Sequence, residues 1–369
     1  MTNETIAQNP ETKQSSTMPN SAFSTSGYDA ILLLSFGGPE GKDEVIPFLE
    51  NVLRGKNVPR ERMEAVAHHY DLFDGVSPIN GHCRELIKAL KAELENSNID
   101  LPVFWGNRNW HPMLADTLLD MKNKGVKKAL AFVTSAYSSY SSCRQYLEDI
   151  EKAQKEVGVG APQVDKIRAF YNHPKFIETN RKNLEDTLNT IVPEKRQATH
   201  IAFTAHSIPK SMSDNCAYEQ QLNETATRLA QALNHTHWQM VYQSRSGPPT
   251  QPWLEPDICD HLKALRAQDV ENVVIAPIGF LCDHMEVIYD LDVEAKKLSE
   301  EIGLSLVRVK TPGTDALFVE MIKDLIVERL DPDKPKAAAG NSGPRENFCA
   351  PDCCPSGRPA MPAGSSARP

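Results

Sequence analysis

Between residues 28 and 330, short and nearly continuous apolar runs alternate with longer stretches in which apolar positions recur every three or four residues. The short runs are 30–36 (AILLLSF), 102–106 (PVFWG), 128–134 (KALAFVT), 166–170 (KIRAF), 199–205 (THIAFTA), 238–242 (WQMVY), 272–280 (NVVIAPIGF) and 304–309 (LSLVRV). Runs this short without polar alternation predict strands covered on both faces. The 3.6-residue recurrence over 85–95, 174–190, 218–234 and 257–267 predicts helices between them. Such alternation belongs to the α/β class, with parallel sheets flanked by helices. Eight strands suit two doubly wound domains better than one. The polar, Gly- and Pro-containing stretch AQKEVGVGAPQVDK (153–166) places the boundary near 160. The expected layout is a disordered leader (1–27), one domain over 28–160, a second over 161–312, a terminal helix over 313–331 and a tail over 332–369.

Composition narrows the classes. The chain has 369 residues and a net charge of −9, which argues against a sequence-independent nucleic-acid binder. No apolar run approaches the roughly 20 residues of a membrane span. The first 27 residues lack the basic and apolar regions of a secretory signal and contain no Arg, unlike a transit peptide. A cytoplasmic protein is expected. There, cysteines serve as metal ligands, catalytic groups or buried thiols more often than as disulfides. Three of the eight cysteines, Cys349, Cys353 and Cys354, sit in a tail too poor in large apolar residues to order itself without a tie.

In doubly wound folds ligands bind beyond the carboxyl ends of the strands. The 199–205 run leads to His206, able to accept a proton or ligate a metal, or simply a loop histidine bonded to backbone. The 272–280 run leads to Asp283, His284 and Glu286. Glu286, Asp290 and Glu294 then follow at helical spacing as a row of carboxylates, a solvated face or a path for protons and cations in a cleft. Histidines with carboxylates and no Cys₄-type spacing suit an open cation site or a proton acceptor rather than a structural zinc. Gly37 and Gly38 follow the first run without a nucleotide-binding fingerprint. TSAYSSYSSCRQY (134–146), with Tyr137, Gln145 and Cys143, reads as a polar pocket wall or an ordinary loop. The long loop after 242 carries Gln243, Ser244, Arg245, Trp253 and Asp257, the last also a plausible helix cap.

Taken together and in order, LLLSFGGPE (32–40), GVSPINGH (75–82), TSAYSSYSSCRQY (134–146), FTAHSIP (203–209), YQSRSGPPTQPWLEPDI (242–258) and GFLCDHMEVIYDLD (279–292) resemble the ferrochelatase family, over about residues 28–330. The resemblance implies two similar Rossmann-like domains of the chelatase type with a cleft between them. It also implies insertion of Fe²⁺ into a porphyrin with release of two protons, a lyase reaction of haem biosynthesis. It makes His206 the active-site histidine and Glu286 its partner carboxylate, both for metal binding and catalysis. His284 and Asp290 become further candidate metal ligands. Phe36, Ser77, Tyr137 and Gln145 become candidate porphyrin contacts. Phe36 stands where some bacterial relatives have a Tyr over the metal, and a phenyl ring cannot ligate iron.

Some family members hold a [2Fe–2S] cluster by one internal Cys and three in a C-terminal extension. The resemblance carries this to Cys143, Cys349, Cys353 and Cys354, with Cys282 as the rival internal ligand. Zinc and an inert tail are the other readings. The wording of the 134–146 and 242–258 segments is nearest to actinobacterial-type enzymes of the coproporphyrin branch, so coproporphyrin III is the expected substrate and a monomer the expected state. Protoporphyrin IX as substrate, a non-catalytic porphyrin or haem carrier, and a cobalt or nickel chelatase are the alternatives.

Overall fold

The computed structural model describes residues 27–55, 58–248 and 250–357. Almost all of the expected leader lies outside them. Eight strands form two four-stranded, wholly parallel sheets. The first contains β1 (Ala30–Ser35), β2 (Val103–Asn107), β3 (Lys128–Val133) and β4 (Gln163–Lys166), in the order β2-β1-β3-β4. The second contains β5 (His200–His206), β6 (Trp238–Gln243), β7 (Asn272–Ala276) and β8 (Ser305–Arg308), in the order β6-β5-β7-β8. The two halves therefore repeat one winding. In each the strand order reverses beside the first strand, between β1 and β3 and between β5 and β7, which opens a crevice at the carboxyl ends there.

All six residues of β1 are buried because helices cover both sides of the sheet. Each fully buried leucine of the Leu32–Leu34 run contributes about 1.5–3 kcal/mol relative to exposure. One core runs between the two sheets and takes in Leu33, Phe132, Phe203 and Val274. Separate apolar layers cover the outer faces of the first and second sheets. The terminal helix Ala316–Leu330 packs on both Ile79–Asn96 and Pro174–Asn189, so it ties the two halves rather than capping one.

Three expectations shift. The fourth strand is Gln163–Lys166 rather than 166–170. It pairs with β3, so the chain of the first sheet runs on to Lys166, past 160, and the glycines at 158 and 160 make a turn inside that half. Beyond Lys166, Arg168 turns instead into a buried ion pair with Glu328. The 272–280 run stops as a strand at Ala276, because Pro277 has no N–H to donate. The helix expected after Glu286 is π-helical over Ile288–Ala295, with one short α turn before it and the helix Lys296–Glu301 after it. Regular π geometry of this kind is rare and concentrates at functional sites.

Candidate functional site

His206 ends β5, and Glu286 lies in the first helical turn after β7, so the two face each other across the crevice of the second sheet. His206 Nε2 stands 3.7 Å from Glu286 Oε1. That is too long for a hydrogen bond. It is within the span of about 4.2 Å over which two groups can ligate one first-row cation at bonds of ~2.1 Å each. Nδ1 of His206 bonds to the carbonyl of Ser207. A carbonyl only accepts, so Nδ1 carries a proton, and Nε2 is the ring nitrogen that faces Glu286. Tyr218 Oη donates to the His206 carbonyl at 3.1 Å, which fixes the strand end. Behind it, Gly279 passes so close that a Cβ there would stand 2.5 Å from that of Ala205.

The Glu286 segment is held at both ends. Arg308 bonds Asp283 at 2.9 Å and Asp292 at 2.7 Å, and Thr311 also donates to Asp283 at 3.0 Å. Burial pushes Asp283 up, but Arg308 and Thr311 more than offset this and leave its carboxyl below the usual range. Asp283 is thus a brace. Gln243, 1 % exposed at the end of β6, donates to the Glu286 carbonyl at 2.7 Å and lies 3.4 Å from Asp290. Ser244 also donates to Asp290. Burial pushes the Asp290 carboxyl up to about 7. The hydrogen bond from Ser244 opposes this, and the carboxylates Glu286 and Glu294 add to it. Glu286, Asp290 and Glu294 therefore remain in electrostatic contact as a row although the turn is π-helical. His284 is held below its usual range chiefly by burial. Glu286 opposes that shift and His206 reinforces it.

The opposite wall comes from the first half. Helices Lys42–Leu53 and Arg60–Asp71 form an arm whose Phe48, Met63 and Tyr70 pack with Met285, and with Phe36, Trp110, Ile288 and Tyr289 at the edge. Phe36 meets Phe48 edge to face at 6.3 Å. The His69 ring stacks on Tyr289 at 3.7 Å, and burial raises the Tyr70 hydroxyl with Glu286 adding to it, so the arm reaches the π-helical segment. Ser77 is buried beside Gly38, where an added Cβ would meet it at 2.7 Å. Tyr137, 2 % exposed, bonds the Ile278 carbonyl at 3.1 Å and packs edge-on to Tyr218, one layer behind His206. Gln145 opens the helix Gln145–Val157, next to Cys143 and away from the His206–Glu286 pair in sequence and element. The sequence reading missed the arm and Tyr218. It named Gln243 and Ser244 only as members of a long loop, although their place directly after a strand was the available signal.

The cysteines separate into groups, and none is in a disulfide. Cys143 is buried in a π turn, Tyr140–Arg144, capped reciprocally by Ser139 and Ser142. The tail reaches it along bonds from Arg168 to Ala337 (2.7 Å), from Ala339 to Asn172 (2.7 Å) and from Asn172 to Gly343 (2.8 Å). Cys143 shares a hydrogen bond with Cys349, which lowers the Cys143 thiol against the effect of burial, helped by Lys166. Cys353 Sγ is 3.5 Å from Cys354 Sγ, and Cys354 senses Cys143. Cys282 instead faces Cys83, and burial pushes its thiol well up. Among the described residues, no three His, Cys, Asp or Glu groups surround one metal-ion position. No helix there is long and apolar enough to cross a membrane.

Comparison with known proteins accords with this geometry. The ferrochelatase family model matches residues 28–330. A ferrochelatase of Rhodopirellula baltica is 54 % identical over 89 % of this chain and 93 % of its own. A coproporphyrin III ferrochelatase of Streptomyces coelicolor is 46 % identical over 95 % and 99 %. Among solved structures, SirB from Bacillus subtilis with Fe³⁺ aligns with a TM-score of 0.51 over 82 % of this chain and 95 % of that one, at 10 % identity, a likeness of fold. The chain belongs to the ferrochelatase family, metal chelatases of the lyase class.

Proposed function

We propose that this ferrochelatase inserts Fe²⁺ into coproporphyrin III, with His206 and Glu286 acting jointly on the metal and on the two pyrrole protons. The observation that carries the roles is His206 Nε2 facing Glu286 across 3.7 Å at the crevice of the second sheet. Insertion breaks two N–H bonds and forms Fe–N bonds, so two protons must leave as iron enters. Nε2 and the carboxylate supply a ligand pair for incoming iron and two acceptors for those protons. Ligands bind in their deprotonated forms, which links the two tasks. Asp290 and Glu294 extend the acceptor row outward. Its middle member, Asp290, is pushed by burial up to about 7, the range in which a carboxyl suits both taking and giving a proton.

Coproporphyrin III is favoured by relatives bearing that name at 45–46 % identity over most of the chain. Phe36 and Ser77 are proposed to line the porphyrin-facing wall, with Tyr137 and Gln145 more distant supports. His284 and Asp290 are proposed as accessory to the metal path rather than as its fixed ligands. The test is an anaerobic absorbance assay with Fe²⁺ and either coproporphyrin III or protoporphyrin IX. Faster metallation of coproporphyrin III is expected. Preference for protoporphyrin IX would overturn the substrate, and binding of either without metallation would favour a carrier.

The tail is proposed to hold a [2Fe–2S] cluster through Cys143, Cys349, Cys353 and Cys354. The residues fit such a group in kind: Cys143 of the folded half is hydrogen-bonded to Cys349 of the tail, Cys353 lies beside Cys354, and the Cys143 thiol is biased towards thiolate, the ligating form. A bound cluster would supply one-electron redox chemistry and a tie between tail and body.

A further inference from the structure

At the amino ends of the strands of the second sheet, opposite the catalytic crevice, lies a pair of histidines that the proposed reaction does not use. His200 is the first residue of β5, and His261 lies on the helix Ile258–Arg266 that covers the sheet. Their Nε2 atoms are 3.1 Å apart. Both line an open pocket of about 530 Å³, whose wall also includes His237, Asp260 and Gln268. We infer that His200 and His261 form a peripheral binding site for a borderline divalent transition-metal ion such as Ni²⁺, Co²⁺ or Zn²⁺.

Geometry and ligand type carry the inference. With metal–nitrogen bonds of about 2.05 Å, a 3.1 Å separation of the two donors sets an angle of about 100° at the metal, between octahedral and tetrahedral values. Imidazole nitrogens suit late first-row ions and not Mg²⁺ or Ca²⁺. Burial lowers both His200 and His261, and neighbouring histidines lower His200 further, to about 4. Without metal, one Nε2–H donates to the other Nε2. On binding, that ring moves its proton to Nδ1, so both lone pairs meet the ion and no proton is released. Among the described residues, no third His, Cys, Asp or Glu is fixed at the pair. His237 and Asp260 are exposed on the same pocket wall, and Asp260 is held only by a surface ion pair to Lys263, which is worth little. Water or either side chain can complete the coordination.

The test is calorimetric titration of the full-length protein with Ni²⁺, comparing wild type, His200→Gln, His261→Asn and His206→Ala. One binding step should be lost, or weakened at least tenfold, in both His200→Gln and His261→Asn and kept in His206→Ala. The iron-insertion rate of His200→Gln should match wild type. An unchanged Ni²⁺ isotherm in a folded His200→Gln protein overturns the inference. So does loss of the same step in His206→Ala, which would assign it to the catalytic crevice. If His261→Asn fails to fold, His200→Gln decides alone, since its ring is partly exposed at the strand start.

Discussion

His206 Nε2 and Glu286 Oε1 stand 3.7 Å apart, one at the end of β5 and the other just past β7, with the intervening crevice set by the reversal of strand order. Neither position is near the other in sequence. The winding of the sheet brings them together, and hydrogen bonds from Tyr218 and Gln243 to their backbone carbonyls hold them there.

Gln243 is therefore a positioning residue. Gln243→Ala removes the buried donor to the Glu286 carbonyl and leaves that carbonyl without its partner, at a cost of about 1–3 kcal/mol. Steady-state kinetics should show kcat falling roughly tenfold, about 1.4 kcal/mol of barrier, with porphyrin affinity unchanged. An equal loss in porphyrin binding would mean that Gln243 shapes the pocket rather than the glutamate.

Asp290 gives a pH dependence of stability. Its folded pKa, about 7, lies above the unfolded value of about 3.9, so the native state binds the proton more tightly. Stability then falls as pH rises from about 4 to 7 and levels off above. Asp290→Asn keeps the shape and removes the ionisation. In thermal melts of metal-free protein, the variant should gain on wild type as pH rises, by up to roughly 4 kcal/mol at pH 8 and by almost nothing at pH 4. A gain independent of pH would contradict the assigned shift.

Much of this arrangement was legible in the sequence. The unbroken apolar runs of β1, β5 and β7 announced buried parallel strands, and the carboxyl ends of β5 and β7 pointed to His206 and Glu286. The π-helical turn was not legible, because its buried residues Leu291 and Ala295 sit four apart, a spacing that α and π turns serve about equally well. The arm was hidden for another reason. RERMEAVAHHYD (60–71) carries few apolar residues, and Met63 and Tyr70 acquire their role only by packing on Met285 from the other half. The fourth strand slipped because Arg168, read as part of a strand, finds its partner at Glu328, which no local pattern reveals.

Arg168 and Glu328 form a bidentate pair at 2.8 and 2.9 Å with both side chains almost fully buried. Arg168→Met leaves a buried carboxylate unpaired and should cost about 3–5 kcal/mol in urea unfolding. Adding Glu328→Leu should recover most of it. The single variant should also loosen the tail, since Arg168 holds the Ala337 carbonyl. A single variant as stable as wild type would show that the pair is not a fixed part of the core.

Cys143→Ser tests the cluster. The purified wild type should carry visible absorbance and acid-labile sulfide, and the variant should lack both. Wild-type protein with zinc and no sulfide would replace the cluster with a zinc site. A variant that keeps its absorbance would remove Cys143 from the ligand set and leave Cys282 to be tested.

The most direct measurement of the central claim is anaerobic stopped-flow absorbance of His206→Ala and Glu286→Gln with coproporphyrin III and Fe²⁺, against wild type. Both variants should bind the porphyrin, seen as the same shift of its absorbance on mixing. Metallation should then fall by a factor on the order of 10² or more, as for loss of a general base. Metallation at the wild-type rate in either variant would contradict the assignment of iron insertion and proton removal to this pair.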